Sequence, residues 1–223
     1  MTLYWHLFDE PIEYGEALRL QERLRDEVLG GELGDGIVLF LQHRPVYTLG
    51  FRGDERHILL PPEERERRGI ALYRTRRGGD VTYHGPGQLV IYPIIDLRRA
   101  RFASIRDFVV FWGTGLARTL SDRYGIPARW DETKTGVWVG RNKIAAVGVH
   151  VKKGVAAHGF ALNIDPDPAH FAGIVPCGIT DGGVTSIKRE LGRSPRHEEL
   201  ARDLLSLLAE RYGTDNLKEY PLS

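Results

Sequence analysis

Gly136-Val137-Trp138-Val139-Gly140-Arg141-Asn142-Lys143-Ile144-Ala145-Ala146-Val147-Gly148-Val149-His150-Val151-Lys152-Lys153-Gly154-Val155-Ala156-Ala157-His158-Gly159-Phe160-Ala161-Leu162-Asn163 sets three strand-like segments in direct succession. They run near Gly136–Val139, Lys143–Val151 and Val155–Asn163, each bounded by glycine or charged turn residues. No helix separates them. Outward from this run, strands are expected over Leu3–Phe8, Gly36–Gln42, Val46–Leu49, Ala71–Arg74 and Leu89–Ile95. Amphipathic spacing predicts helices from Pro11 to about Leu29 and from a Ser104 cap to about Tyr124. A short helix fits Pro61–Arg68, and a last one follows Ser194-Pro195 to about Arg211. Arg76–Gln88 is glycine-rich and irregular, and Asp165–Thr185 reads as loop. Strands and helices mix without strict βαβ alternation. The expected fold is α/β, one domain over residues 1–223, with a mixed, largely antiparallel sheet and packed helices.

The chain has 223 residues and a formal net charge of +1, so no nucleic-acid footprint stands out. Arginine carries nearly all the positive charge, 25 Arg against 6 Lys. The one cysteine excludes an internal disulfide and a cysteine-based zinc cluster. Met1–Glu10 lacks a basic segment followed by an apolar run, and no stretch approaches the roughly 18 apolar residues of a membrane span. A cytoplasmic protein is expected. The histidines show no metal-ligand spacing, so no metal site is expected.

Four segments can carry chemistry. Arg77-Gly78-Gly79-Asp80-Val81-Thr82-Tyr83-His84 continues through Gly85-Pro86-Gly87-Gln88. Glycine at this density costs folding entropy and suits a backbone that must approach a ligand closely; tight turns alone would also account for it. Lys143 opens an apolar strand. A lysine drawn out of water loses proton affinity and can serve as a base, though taken alone the segment favours a solvated turn lysine in a hairpin at Gly140–Asn142. Cys177, in Val175-Pro176-Cys177-Gly178-Ile179, offers the best nucleophile if ionised; a buried structural cysteine is the competing reading. His158-Gly159-Phe160-Ala161-Leu162-Asn163 has small residues that can line an acyl pocket or simply pack a core. Tyr92 carries the same two readings.

Taken in order, Arg77–Gln88, Asn142–Val149, His158–Asn163 and Pro176–Ile179 resemble the octanoyltransferases of lipoate synthesis, as do Pro45–Gly50 and Gly183–Ile187. The resemblance spans about Val38 to Ile187. It implies the fold of biotin and lipoate protein ligases and a catalytic dyad of Cys177 and Lys143. It also implies substrate contacts at Arg77, Gly78, Gly79, Asp80, Val81, Thr82, Tyr83 and His84, at Ala146, Val147 and Gly148, and at Gly159, Phe160 and Ala161. No cofactor is implied.

On that resemblance, the Cys177 thiolate takes octanoyl from acyl carrier protein, and the thioester passes it to a lysine of a lipoyl domain. The acceptors would be lipoyl domains of 2-oxoacid dehydrogenases and the glycine cleavage H protein. Arg98, Arg99, Arg101 and Arg106 are candidates to receive the acidic carrier, or merely a solvated face. Two rivals remain: an ATP-dependent lipoate or biotin ligase, and a non-catalytic lipoyl-domain binding protein. Neither needs Cys177 with Lys143. The lipoate ligases also carry a third consecutive glycine where this chain has Asp80.

Overall fold

The computed structural model describes residues 2–175 and 182–222. Twelve strands are found among them. These are β1 (Leu3–Leu7), β2 (Gly36–Leu41), β3 (Val46–Leu49), β4 (Ala71–Arg74), β5 (Val81–His84), β6 (Gln88–Ile95), β7 (Ala128–Asp131), β8 (Gly136–Val139), β9 (Asn142–Lys152), β10 (Val155–Asn163), β11 (Gly183–Val184) and β12 (Leu217–Glu219). The helices are α1 (Tyr14–Gly30), α2 (Pro62–Arg67), α3 (Ile105–Tyr124), α4 (Pro168–Phe171), α5 (Ile187–Leu191) and α6 (His197–Tyr212).

The main sheet runs in the order β12-β1-β2-β6-β10-β9-β8-β7, with β11 added alongside β9. Every pairing from β2 through β7 is antiparallel, whereas β12–β1, β1–β2 and β11–β9 are parallel. A second sheet, β4-β3-β5, stands apart from it. The expected mixed, largely antiparallel α/β architecture is the one observed.

Both faces of the main sheet are buried, and alternation along its strands divides the core in two. Leu89, Ile91 and Ile95 of β6 join Phe108, Trp112 and Leu116 of α3 and Leu204 of α6. Val90, Tyr92 and Ile94 point the other way, onto Ala17, Leu24 and Val28 of α1. Ser104 caps α3 by accepting the Asp107 amide, a contact worth about 1 kcal/mol. Gly31 and Gly125 end α1 and α3 in left-handed conformation.

Pro93 sits inside the central strand β6, where its missing N–H would break a ladder. Strand β10 accommodates it by leaving β6 beyond Phe160↔Ile91 and meeting it again at the Asp96–Val155 bridge. At that departure His158 takes φ 54°, a left-handed conformation rare for a residue with a Cβ. The detour exposes His158 and Gly159 to the space described below.

One expected helix start shifts and some elements were missed. The first helix begins at Tyr14 rather than Pro11. Arg76–Gln88 contains β5, and Asp165–Thr185 contains α4 and β11. α5, β7 and β12 were not foreseen. These pieces are short and lie at sheet edges or in turns, so pairing with a neighbour rather than periodicity defines them.

Candidate active site

A cavity of about 630 Å³ opens where the glycine turn 77–80 crosses the β9–β10 hairpin. Arg77, Gly78, Gly79, Asp80, Thr82 and His84 line it, as do Ala146, Val147 and Gly148, Gly159, Phe160 and Ala161, and Lys143. The sequence-predicted residues on three separate segments thus converge. Val81 and Tyr83 are the exceptions. Alternation along β5 turns Thr82 and His84 to the cavity and sends Val81 and Tyr83 into the core of the small sheet with Tyr47 and Leu49. What those two can offer a ligand is main chain.

Arg77 builds the turn from within. It is 5% exposed, and its guanidinium donates to the Thr48 carbonyl (2.6 Å), the Thr48 hydroxyl (2.8 Å), the Asp80 carbonyl (2.7 Å) and the Gly78 carbonyl (3.0 Å). The turn is pinned to β9 by the Gly78 amide, which donates to the Val149 carbonyl at 3.0 Å. A Cβ on Gly50 would lie 2.4 Å from the Gly79 carbonyl, so this close approach requires glycine. Asp80 accepts the Asp54 amide and pairs with His57.

Lys143 reaches the cavity through a bulge. β8 and β9 shift register between Val137 and Trp138, so that Trp138 faces Lys143 and Val137 faces Ala145. The extra residue turns Lys143 onto the face that carries Ala146 and Gly148. Lys143 is 8% exposed, with Nζ 4.9 Å from the centre of the Trp138 ring and 3.4 Å from the Thr135 carbonyl. Gly136 makes room for its stem: a Cβ there would lie 2.9 Å from Lys143 Cε.

Cys177 lies outside the described residues. The chain on either side of it is held near the cavity. The Val175 amide donates to the His57 carbonyl at 2.8 Å. Beyond it, Gly183 and Val184 pair in parallel with Asn142 and Lys143, and the Thr185 amide donates to the Lys143 carbonyl at 3.0 Å.

Neutral polar groups follow one another from His84 on the cavity wall. His84 Nδ1 donates to Gln88 Oε1 at 3.1 Å, Gln88 donates to Asn163 at 2.9 Å, and Asn163 donates to the Thr185 carbonyl at 3.0 Å. Burial, then the nearby His43 and Arg77, holds His84 well below the usual histidine range. Burial brings His43 down to about 4. His43 donates from Nδ1 to the Ile12 carbonyl, which leaves Nε2 to accept the Tyr92 hydroxyl at 2.7 Å. His158 is likewise brought to about 4, first by burial and then by Arg77 and His150. Burial raises Tyr14 to about 12 and Tyr92 well above its usual value.

Sequence reading missed several wall residues: Tyr14 from α1, Trp138, and the rim residues Arg52, Ile105 and Thr133–Thr135. Ile105 is 51% exposed and lines the cavity, one position past the α3 cap. Of the four candidate docking arginines, two are engaged. Arg99 donates to the Val28 and Gly34 carbonyls and pairs with Asp96, and Arg106 binds Glu132. Among the described residues no helix is long and apolar enough to cross a membrane.

Residues 13–209 match the family model of the lipoyl protein ligase A/B catalytic domain. An octanoyltransferase of Caldicellulosiruptor bescii is 43% identical over 203 residues, covering 91% of this chain and 88% of its own. The mitochondrial octanoyltransferase LIP2 of Arabidopsis thaliana is 42% identical over 214 residues, covering 94% and 90%. Among solved structures, an archaeal lipoylation system from Thermoplasma acidophilum, a bi-partite lipoate protein ligase and its E2 lipoyl domain, superposes with a TM-score of 0.72. It covers 100% of this chain and 87% of the other at 18% identity, a likeness of fold. The chain is therefore an enzyme of acyl transfer and belongs to the lipoyl protein ligase A/B catalytic-domain family.

Proposed function

We propose that this chain is an octanoyl-acyl carrier protein:protein octanoyltransferase that works through a Cys177 thioester, as one catalytic unit in the cytoplasm. The observation that carries the reading is Lys143, buried in the wall of the cavity, on a strand whose neighbour follows closely in sequence the segment that holds Cys177. The octanoyltransferase relatives support the acyl group transferred.

In this reading Lys143 takes the Cys177 proton or stabilises the thiolate by its charge. The thiolate adds to the carbonyl of the octanoyl thioester, the carrier's thiol leaves, and octanoyl-Cys177 remains. A lysine of the acceptor then attacks in its neutral form, with Lys143 as the base, and the product is an amide. Thioester to amide runs downhill, so no ATP enters. Backbone N–H groups near the glycine turn would stabilise each oxyanion, an effect of roughly 3–4 kcal/mol per donor. The acyl chain would lie along Ala146, Gly148 and Gly159, each buried CH₂ contributing about 0.8 kcal/mol.

The donor is octanoyl-acyl carrier protein, and the acceptors are lipoyl domains of 2-oxoacid dehydrogenases and the glycine cleavage H protein. The test supplies a lipoyl domain with either octanoyl-acyl carrier protein or octanoate plus ATP. Octanoylation only from the carrier supports the reading. Octanoylation only from octanoate plus ATP makes the chain a ligase, and binding of the lipoyl domain with no transfer from either makes it a binding protein.

A further inference from the structure

A second cleft, of about 290 Å³, is separate from the acyl cavity, and His158 lines both. Its walls come from α1, the end of β4 with the residues after it, and the far end of β9. Arg25, Arg74, Arg76, His150 and Lys152 face it, against the single carboxylate of Glu22. Arg74 is held by Glu55 and Arg25 touches Asp26, whereas the other cations lie around His150. Arg76, Arg25 and Lys152 act on that histidine together, in the same direction as its burial.

Three residues that line the cleft carry buried polar atoms without a hydrogen-bond partner among the described residues. Gln21 is 2% exposed; its Oε1 accepts the His158 amide at 2.8 Å, but its Nε2 has no partner. His158 is 5% exposed, and its Nδ1 has no partner. The Arg25 Nε is a third such atom. A buried polar group left unpaired costs about 1–3 kcal/mol, and the Gln21 Nε2 and Arg25 Nε atoms can only donate, so beside a basic cleft they favour an acceptor-rich ligand. Guanidinium groups with their fixed forks suit the oxygens of a phosphoryl group, and the neighbouring ammonium adds a point charge.

We propose that the cleft between α1, Arg74–Arg76 and the His150–Lys152 end of β9 is a binding site for a phosphoryl oxyanion. It is separate from the acyl cavity and abuts it through His158. Along β9, Lys143 and His150 are seven residues apart, roughly 23 Å of strand, so a phosphoryl group here sits far from the dyad position. Its occupant braces the left-handed His158 from behind, at the inner end of the acyl cavity.

The test is titration of the intact chain with inorganic phosphate, 4′-phosphopantetheine and AMP at constant ionic strength, read by calorimetry and ³¹P line broadening. Wild type, the Arg76→Ala/Lys152→Ala double variant and Arg67→Ala as control are compared, with circular dichroism to confirm folding. Saturable binding, weakened at least tenfold in the double variant and unchanged in the control, is expected. Tighter binding of an organic phosphate than of inorganic phosphate would make the ligand a phosphorylated small molecule; equal binding would make it free phosphate. Absence of saturable binding for all three probes, or equal binding by the double variant, overturns the site. All of these readouts are independent of acyl transfer.

Discussion

Val184 and Lys143 are register partners on adjacent parallel strands, so the segment that follows Cys177 in sequence docks on the backbone of the buried lysine. The Thr185 amide closes the contact on the Lys143 carbonyl. On the N-terminal side of Cys177, Val175 is tied to His57, whose ring pairs with Asp80 of the glycine turn. The described residues on the two sides of Cys177 are thereby tied to residues that contact the cavity lining, Val175 through His57 to Asp80 and Thr185 to Lys143 itself.

Replacing Lys143 tests the base directly. Lys143→Met keeps the stem that Gly136 accommodates and removes the amine. Single-turnover acylation and acceptor transfer should both fall, by roughly 10²–10⁴-fold, while unfolding stays cooperative. Transfer at the wild-type rate would make Lys143 a structural residue of the Trp138 wall.

Arg77 should behave as a scaffold more than as a movable charge. Arg77→Lys cannot reproduce a fork that serves Thr48, Gly78 and Asp80 at once. We expect a loss of at least about 2 kcal/mol in urea unfolding, together with slower transfer, because hydrogen bonds to charged groups each contribute about 1.5–3 kcal/mol. Unchanged stability would mean that the turn holds its shape without the fork.

How much of this was legible follows from particular residues. Arg77, His84 and Lys143 stood out because their neighbours are unusual, dense glycine and a lysine at the head of an apolar strand, but it was the family resemblance that grouped them into one site. The period-2 phase of β5 was not, because it starts after an irregular turn, and so Val81 and Tyr83 were grouped with the cavity residues although they face away. Tyr14 and Trp138 read as ordinary helix and strand residues. Their place in the wall comes from long-range packing and from the β8–β9 bulge, for which local sequence carries no signal. The strands β7 and β12 escaped for a related reason, since each is a few residues long and gains its order from a neighbour.

Gly148 and Gly159 face one another across β9 and β10 on the cavity wall. A Cβ on Gly159 would lie 2.2 Å from the Ile91 carbonyl, and one on Gly148 would lie 2.9 Å from the Gly78 carbonyl. Gly159→Ala should therefore cost about 3 kcal/mol of stability in denaturant unfolding and Gly148→Ala about 1 kcal/mol. Gly148→Ala should also slow longer acyl donors more than shorter ones. An equal effect on all chain lengths would move the acyl path away from this pair.

Acid should weaken the fold through the buried histidines. The folded chain holds His43 and His158 near 4, below the value of about 6.5 for an unfolded histidine. Between those limits the unfolded chain binds protons that the folded chain refuses, so stability falls as pH drops from 6.5 to 4. Each of these two residues contributes roughly 3 kcal/mol to that loss. Urea midpoints at pH 7 and 4.5 should differ less for His43→Gln than for wild type. Equal declines would show that His43 takes its proton without cost.

The most direct test of the thioester mechanism is the intact mass of the protein, acid-quenched after mixing with octanoyl-acyl carrier protein, for wild type and Cys177→Ser. The account predicts one added octanoyl group on the wild type, released by hydroxylamine and discharged onto a lipoyl domain, with no such adduct and no transfer by the variant. Transfer by Cys177→Ser at the wild-type rate, with no adduct on either protein, would contradict it and make the reaction a direct attack by the acceptor lysine.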